Sequence, residues 1–136
     1  MLALSPDELE LSDSWIEGDE GAHWRSAAGT GPRVGAEASG SSLLEVPPGR
    51  RLPCHTDSAE ETIVVTAGVA EVWVEGKSSR VPAGGVALVA ADAPHEVHNP
   101  GDDTLSFLAV YASPDVITRY EQEVQPAGSH EQRPVA

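Results

Sequence analysis

From Val34 onward, apolar and polar residues alternate in short runs that Gly, Pro, Asp or Asn interrupt about every ten residues. In the run from 70 to 75, Ala70, Val72 and Val74 fall on one side of an extended chain, and Glu71, Trp73 and Glu75 on the other, because successive side chains of a strand point to opposite faces. The pattern predicts strands over 34–39, 42–46, 51–55, 62–67, 70–75, 79–81, 86–90, 95–99 and 105–111, with hairpin breaks at Gly76-Lys77 and Gly84-Gly85. No long stripe of helical period occurs before the last strand, so the fold class is all-β. After that strand, Ser113-Pro114-Asp115 reads as a helix start, with Val116, Ile117 and Tyr120 on a common face, which predicts a short C-terminal helix. Residues 125–136 have little to bury and read as a mobile tail.

The first 31 residues are acidic and irregular, with a short helical start at Ser5-Pro6. Trp15, Ile16 and Trp24 are their apolar anchors and read as lids over the edge of a core. Gly29-Thr30-Gly31 resembles a phosphate loop only superficially, because Pro32 follows and no strand-then-helix pattern surrounds it.

Composition narrows the partners. A chain of 136 residues is one domain's worth, and its 22 acidic against 8 basic residues give a net charge of −14. Such a surface repels phosphate backbones and anionic headgroups, which argues against nucleic acid and membrane as partners. The longest apolar runs, 86–91 and 107–112, fall far short of the roughly 20 residues that span a bilayer. The single cysteine, Cys54, cannot form an internal disulfide, and the acidic start has no signal-peptide pattern, so the expected location is cytoplasmic.

Candidate chemistry concentrates between Gly49 and Gly68, where His55, Asp57 and Glu61 stand close together in a chain with only 5 histidines. Imidazole and carboxylate form the ligand set of divalent first-row metals that keep positions open for substrate. His55 and Asp57, two apart, share a face, and Cys54 and Thr56 take the other. Glu61 opens a strand whose same-side neighbours, Ile63 and Val65, are aliphatic; an unpaired carboxylate is costly there, and a cation would also relieve its repulsion with Asp57. His95 is the third ligand, sharing a face with Val97 and Asn99, while Glu96 and His98 face outward. Asn99 reads as the opening of the turn at Pro100-Gly101, His98 as a surface residue, and His130 as part of the tail. The sequence has no Gly-x-Ser-x-Gly elbow and no Cys–His pair on a shared face, and its sole lysine, Lys77, sits in a turn, so nucleophilic hydrolysis and Schiff-base chemistry are set aside.

In both of its motifs the chain resembles the cupin superfamily. Gly49, His55, Glu61 and Gly68 stand in register with the first motif, and Asp57 occupies the place of its second His. Gly84, His95 and Asn99 match the second, with Ala90 and Asp92 replacing its Pro and Gly. Asp tolerates the positive φ of that Gly position better than most residues. The resemblance implies a double-stranded β-helix, or jelly-roll barrel, with one internal site. It implies a divalent transition metal (Fe, Mn, Ni or Zn) held by His55, Glu61 and His95, with Asp57 in the fourth place as a direct ligand, as a partner of metal-bound water, or outside the coordination sphere. The chain is then divided into an N-terminal segment packing on the barrel (1–31), the barrel (32–112), a C-terminal helix (113–124) and the tail (125–136).

The expected activity is that of a dioxygenase-type oxidoreductase acting on a small oxygenated molecule, with Glu61 or Asp57 as proton acceptor. The alternatives are a metal-dependent isomerase or lyase, and a non-catalytic small-molecule binder. Ile63, Val65, Val72, Leu88 and Phe107 are the expected cavity walls. A homodimer is the family-level expectation, to which Trp73 and the N-terminal tryptophans lend local support.

Overall fold

The computed structural model describes residues 1–136 and contains twelve strands with almost no helix. They are β1 (Ser12–Ile16), β2 (Asp19–Thr30), β3 (Gly40–Val46), β4 (Arg51–Asp57), β5 (Glu61–Ala67), β6 (Val69–Val74), β7 (Lys77–Pro82), β8 (Val86–Val89), β9 (His95–His98), β10 (Leu105–Tyr111), β11 (Thr118–Val124) and β12 (Ser129–Gln132). One sheet runs β1-β2-β3-β10-β5-β8, and the facing sheet runs β7-β6-β9-β4-β11-β12. All pairings are antiparallel except a single parallel bridge, Ala22 to Arg51, which joins the sheets through β2 and β4. The result is a barrel-like jelly roll, the architecture in which antiparallel strands bury most of their edges.

Alternation sets what each sheet contributes to the interior. Ile63, Val65, Leu105, Phe107, Val89 and Val97 are buried on the inner faces, and Leu44, Val46, Ala70 and Val72 join the same core. The β6–β7 hairpin turns on Glu75 and Gly76, both at positive φ (50° and 80°), as a tight two-residue connection requires. Asp92 takes φ 63°, so it does adopt the left-handed conformation expected of a residue in that glycine's place. At Gly68 a side chain would be strained twice over: φ is +77°, and a Cβ there would lie 3.0 Å from the Thr104 carbonyl oxygen and 3.2 Å from Leu105 Cα.

Four expectations are corrected. No C-terminal helix exists: residues 118–124 form β11, which pairs with β4 and β12. From 116 to 120 the buried residues are Val116, Thr118 and Tyr120, a period of two that the apolar Ile117 disguises as a helical face. Residues 1–31 are not irregular, since β1 and β2 occupy most of them and β2 pairs with β3. The last residues are not a loose tail: β12 pairs with β11, and the Ala136 backbone exchanges hydrogen bonds with Thr30 and Arg33. The strand expected over 34–39 is absent; a 3-10 turn at Pro32–Val34 leads into bends before β3.

At the N-terminus, the helical start is one 3-10 turn, Pro6–Glu8, closed by the Ser5 backbone N–H donating to the Glu8 carboxylate at 2.6 Å. Trp24 and Ile16 are buried and Trp15 is half-buried, so the tryptophans divide between core and surface. Trp73 lies half-buried on the outer face, its Nε1–H donating to Glu71 at 2.8 Å. No helix of the chain is long and apolar enough to cross a membrane.

Candidate metal centre

His55 and His95 face each other across the β4–β9 ladder as directly opposed residues, which brings their rings to a centroid distance of 4.1 Å. Asp57, two residues along β4, keeps the same inward direction, and Glu61 enters from the first residue of β5 on the other sheet. All four are almost fully buried, at 4% exposed for His55, 3% for Asp57 and Glu61, and 2% for His95. Residues far apart in sequence thus share one interior point because the strands that carry them converge there.

Hydrogen bonds orient each imidazole. Nδ1 of His55 donates to the Pro53 carbonyl at 2.7 Å, and Nδ1 of His95 donates to the Ala93 carbonyl at 2.8 Å. A carbonyl oxygen can only accept, so both Nδ1 atoms carry a hydrogen and each Nε2 faces inward. Asp57 is held from the other side: Thr118 Oγ1 donates to its Oδ1 at 2.5 Å. Its Oδ2 is buried without a hydrogen-bond partner, 3.6 Å from His55 Nε2 and 3.4 Å from His95 Nε2. Both contacts are close, yet neither is aligned as a hydrogen bond. Glu61 Oε1 lies 3.0 Å from His95 Nε2.

Electrostatics make these contacts informative. Burial pushes the His55 imidazolium down to about 4, and the charge on His95 adds to the effect. Burial works against the charged form of His95 as well, but the carboxylates of Asp57 and Glu61 beside it outweigh burial and raise that group to about 10. Burial, reinforced by the charge of Asp57, raises Glu61. The opposite holds for Asp57, where His95, His55 and Thr118 overcome burial and lower it. The shifts of His95 and Glu61 describe one proton held between them, since two bare acceptors would not rest 3.0 Å apart.

A divalent cation suits this donor set. Nε2 of His55, an Asp57 oxygen and Nε2 of His95 lie within 4.8 Å of one another. An unpartnered buried carboxylate oxygen costs about 1–3 kcal/mol or more, and a cation between the imidazoles would remove that cost. Glu61 lies outside that group of three, with its Oε1 3.0 Å from His95 Nε2. Cys54 has no part in it: it lies on the opposite face of β4, where burial and the nearby Glu121 raise its thiol to about 11.

A cavity of about 430 Å³ opens onto His55, Asp57 and Glu61, lined among others by Ser14, Trp24, Ser42, Leu44, Tyr111 and Tyr120. This corrects the expected walls. Ile63, Val65, Val72 and Phe107 are buried in the packed core beneath the site, and Leu88 is 67% exposed on the outside of the barrel. Register decides Leu88: Val89 opposes Glu61 and points inward, so Leu88, opposing Thr62, points out. A larger depression of about 660 Å³ beside the β1–β2 hairpin is lined by Asp13, Glu17, Asp19 and Glu20 and reaches none of the four residues.

Three residues near the site escaped the sequence reading. Thr118 holds Asp57, Tyr120 lies against His55 at 5.3 Å between centroids, and Trp24 stacks on Tyr120 at 5.4 Å. The available signal was the period of two in Val116, Thr118 and Tyr120. Asn99 is more than a turn opener: buried, its Nδ2 donates to the carbonyls of Val46 and Asp103, both at 2.8 Å, while Gly101 N–H donates to its Oδ1 at 3.0 Å. His98 stays on the outer face, half-buried, with Nε2 2.7 Å from Glu96.

Comparison with known proteins places this geometry in a wider set. A family model described as "Cupin domain" matches residues 42–111. No curated protein sequence matches the chain. Among solved structures, a "predicted oxalate decarboxylase" from Thermotoga maritima is similar, with a TM-score of 0.70 and 22% identity over 82% of this chain and 99% of that one. The polyketide cyclase RemF from Streptomyces resistomycificus has a TM-score of 0.67 at 21% identity, with coverage of 85% and 83%. An oxalate decarboxylase from Lactobacillus farciminis has a TM-score of 0.66 at 23% identity over 79% of this chain, which matches only 32% of that longer protein. At these identities the likeness establishes the fold.

Proposed function

The chain belongs to the cupin domain family, and from that premise we propose that it is an enzyme holding a divalent transition metal (Fe, Mn, Ni or Zn) on His55, Asp57 and His95, with Glu61 beside them. One observation carries the reading: two imidazole nitrogens and an otherwise unpartnered carboxylate oxygen converge in the barrel interior, each held by a hydrogen bond from its far side. The cation would act as a Lewis acid toward an oxygen of the bound molecule. His55 and His95 present neutral Nε2 atoms, Asp57 supplies negative charge, and Glu61 accepts or returns a proton beside them. Ser14, Ser42, Thr118 and Tyr111 line the cavity with hydroxyl groups suited to a small, oxygen-rich ligand.

For the reaction, the dioxygenase-type oxidoreductase acting on an enol or diol is the first reading. A lyase is the second: with His95 Nε2 given to the metal, the proton between the two groups would stay on Glu61, placed to replace a carboxyl group departing as carbon dioxide; an isomerase would use the same proton. Elemental analysis of the purified protein tests the metal, and absence of stoichiometric metal after reconstitution at neutral pH would overturn the enzyme reading. Oxygen consumption with phenols and diketones supports the oxygenase. Carbon dioxide release from small dicarboxylates without oxygen uptake supports the lyase. Bound metal without turnover in either assay leaves a small-molecule binder.

We also read the chain as a cytoplasmic homodimer. Its free thiol suits a reducing compartment. The outer face of the β2-β3-β10-β5-β8 sheet carries Leu43, Leu108, Val64 and Val86 across neighbouring strands, and Val86 and Leu88 are 64% and 67% exposed. Sedimentation at micromolar concentration tests the dimer, and a Leu88→Glu variant should shift it to monomer.

A further inference from the structure

We propose that Thr118 makes Asp57 a one-oxygen ligand and thereby sets how many coordination positions the metal keeps open. The inference rests on the metal reading given above. Where the family motif has a second His, this chain has Asp57, and the exchange alters more than length. Imidazole can offer a metal one nitrogen, whereas a carboxylate can offer two oxygens and, by chelating, fill a position a substrate would need.

The structure shows what restrains the second oxygen. Thr118 and Asp57 are directly opposed residues in the β11–β4 ladder, and the Thr118 hydroxyl, itself 3% exposed, donates to Oδ1 at 2.5 Å. Oδ2 is left as the Asp57 oxygen turned toward the two imidazoles, at 3.6 and 3.4 Å. The donor cannot easily drift. On one side Ser58 N–H donates to the Ile117 carbonyl at 3.0 Å, and on the other Ile117 N–H donates to Ser58 Oγ at 2.9 Å, which pins the start of β11 to the turn after Asp57. Thr118 also lies beyond residues 42–111, the part matched by the family model. The aspartate and its restraint therefore come from different elements: β4 supplies the ligand, and β11 limits what that ligand can do. Thr118 is a positioning residue.

The experiment loads Mn(II) and, separately, Co(II) into the wild type, Thr118→Val and Thr118→Ser. Valine keeps the shape and removes the donor; serine keeps the donor. Water-proton relaxation counts exchangeable waters on Mn(II), and the visible bands of Co(II) weaken as coordination number rises. Thr118→Val should lose about one exchangeable water per Mn(II) and show weaker Co(II) bands, and Thr118→Ser should match the wild type in both. Thermal melting of the metal-free variants confirms folding; should Thr118→Val not fold, Thr118→Ala is measured with the same expectation. Metal bound by the wild type, with water count and Co(II) bands unchanged in the variant lacking the hydroxyl, overturns this inference alone. Failure of the wild type to bind either ion overturns the metal reading and this inference with it.

Discussion

The two ends of the barrel interior are built on opposite terms. At the closed end Ile63, Val65, Val97, Leu105 and Phe107 interlock as aliphatic and aromatic side chains with no polar atom to satisfy. At the open end the inner faces of β1, β2, β3 and β11 present Ser12, Ser14, Ser26, Ser42, Thr118 and Tyr120 around a cavity. The first end contributes stability, because each filled apolar position removes roughly 1.5–3 kcal/mol of exposed surface. The second end gives up that contribution for a wet, hydroxyl-lined space in which four titratable groups meet. A small barrel can afford the second only because the first is tightly filled.

Mutations should separate the two ends. The largest effect is expected at the imidazoles: His55→Ala and His95→Ala should abolish stoichiometric metal, as measured by elemental analysis, while the fold persists. Next, Phe107→Ala should destabilise by about 3–5 kcal/mol in urea unfolding and leave metal stoichiometry intact in the folded fraction. If Phe107→Ala lost metal as readily as His95→Ala, the division between the ends would fail.

The pH response should be smaller and confined to the open end. His95, raised to about 10 from its ordinary 6.5, makes the metal-free folded chain bind more protons than the unfolded one across that interval, so stability falls as pH rises toward 10. His55, lowered to about 4, works the other way below 6.5, where unfolding takes up a proton and stability falls as pH drops. Urea midpoints of the metal-free protein should therefore peak near pH 6.5, and His95→Gln should remove the alkaline decline. Smallest of all, Ser42→Ala should change stability by about 1 kcal/mol or less, because its buried Oγ has no hydrogen-bond partner to lose. A larger loss would mean that the cavity wall is packed like the closed end.

The same contrast explains what was readable in the residues. Strands β3 to β10 carry inward aliphatics, so alternation located them within a few residues, and the histidine–carboxylate spacing singled out His55, Asp57, Glu61 and His95 before any coordinates. Strands β1 and β2 read as irregular because the residues they turn inward are mostly Ser and Ala, which carry no hydrophobic signal when they face a cavity. β11 read as a helix for a related reason: its inward residues include Thr118 and Tyr120, while an apolar Ile117 sits on the outer face. Leu88 was placed inside because the unbroken apolar run 86–91 has no internal phase, and only its pairing with β5 decides which residues point in.

The sequence by itself determined the all-β class, the approximate positions of most strands in its central portion and four polar residues of its interior, which follow from alternation and from the spacing of histidines and carboxylates, while the barrel came from the resemblance of its two motifs to a known family. Tertiary structure alone decided that Thr118 reaches Asp57, that Tyr120 lies against His55 with Trp24 stacked behind it, and that hydroxyl groups join the apolar side chains in the cavity wall. Those facts depend on which strands lie side by side after the chain has doubled back, and no local period encodes a partner that arrives 61 residues later.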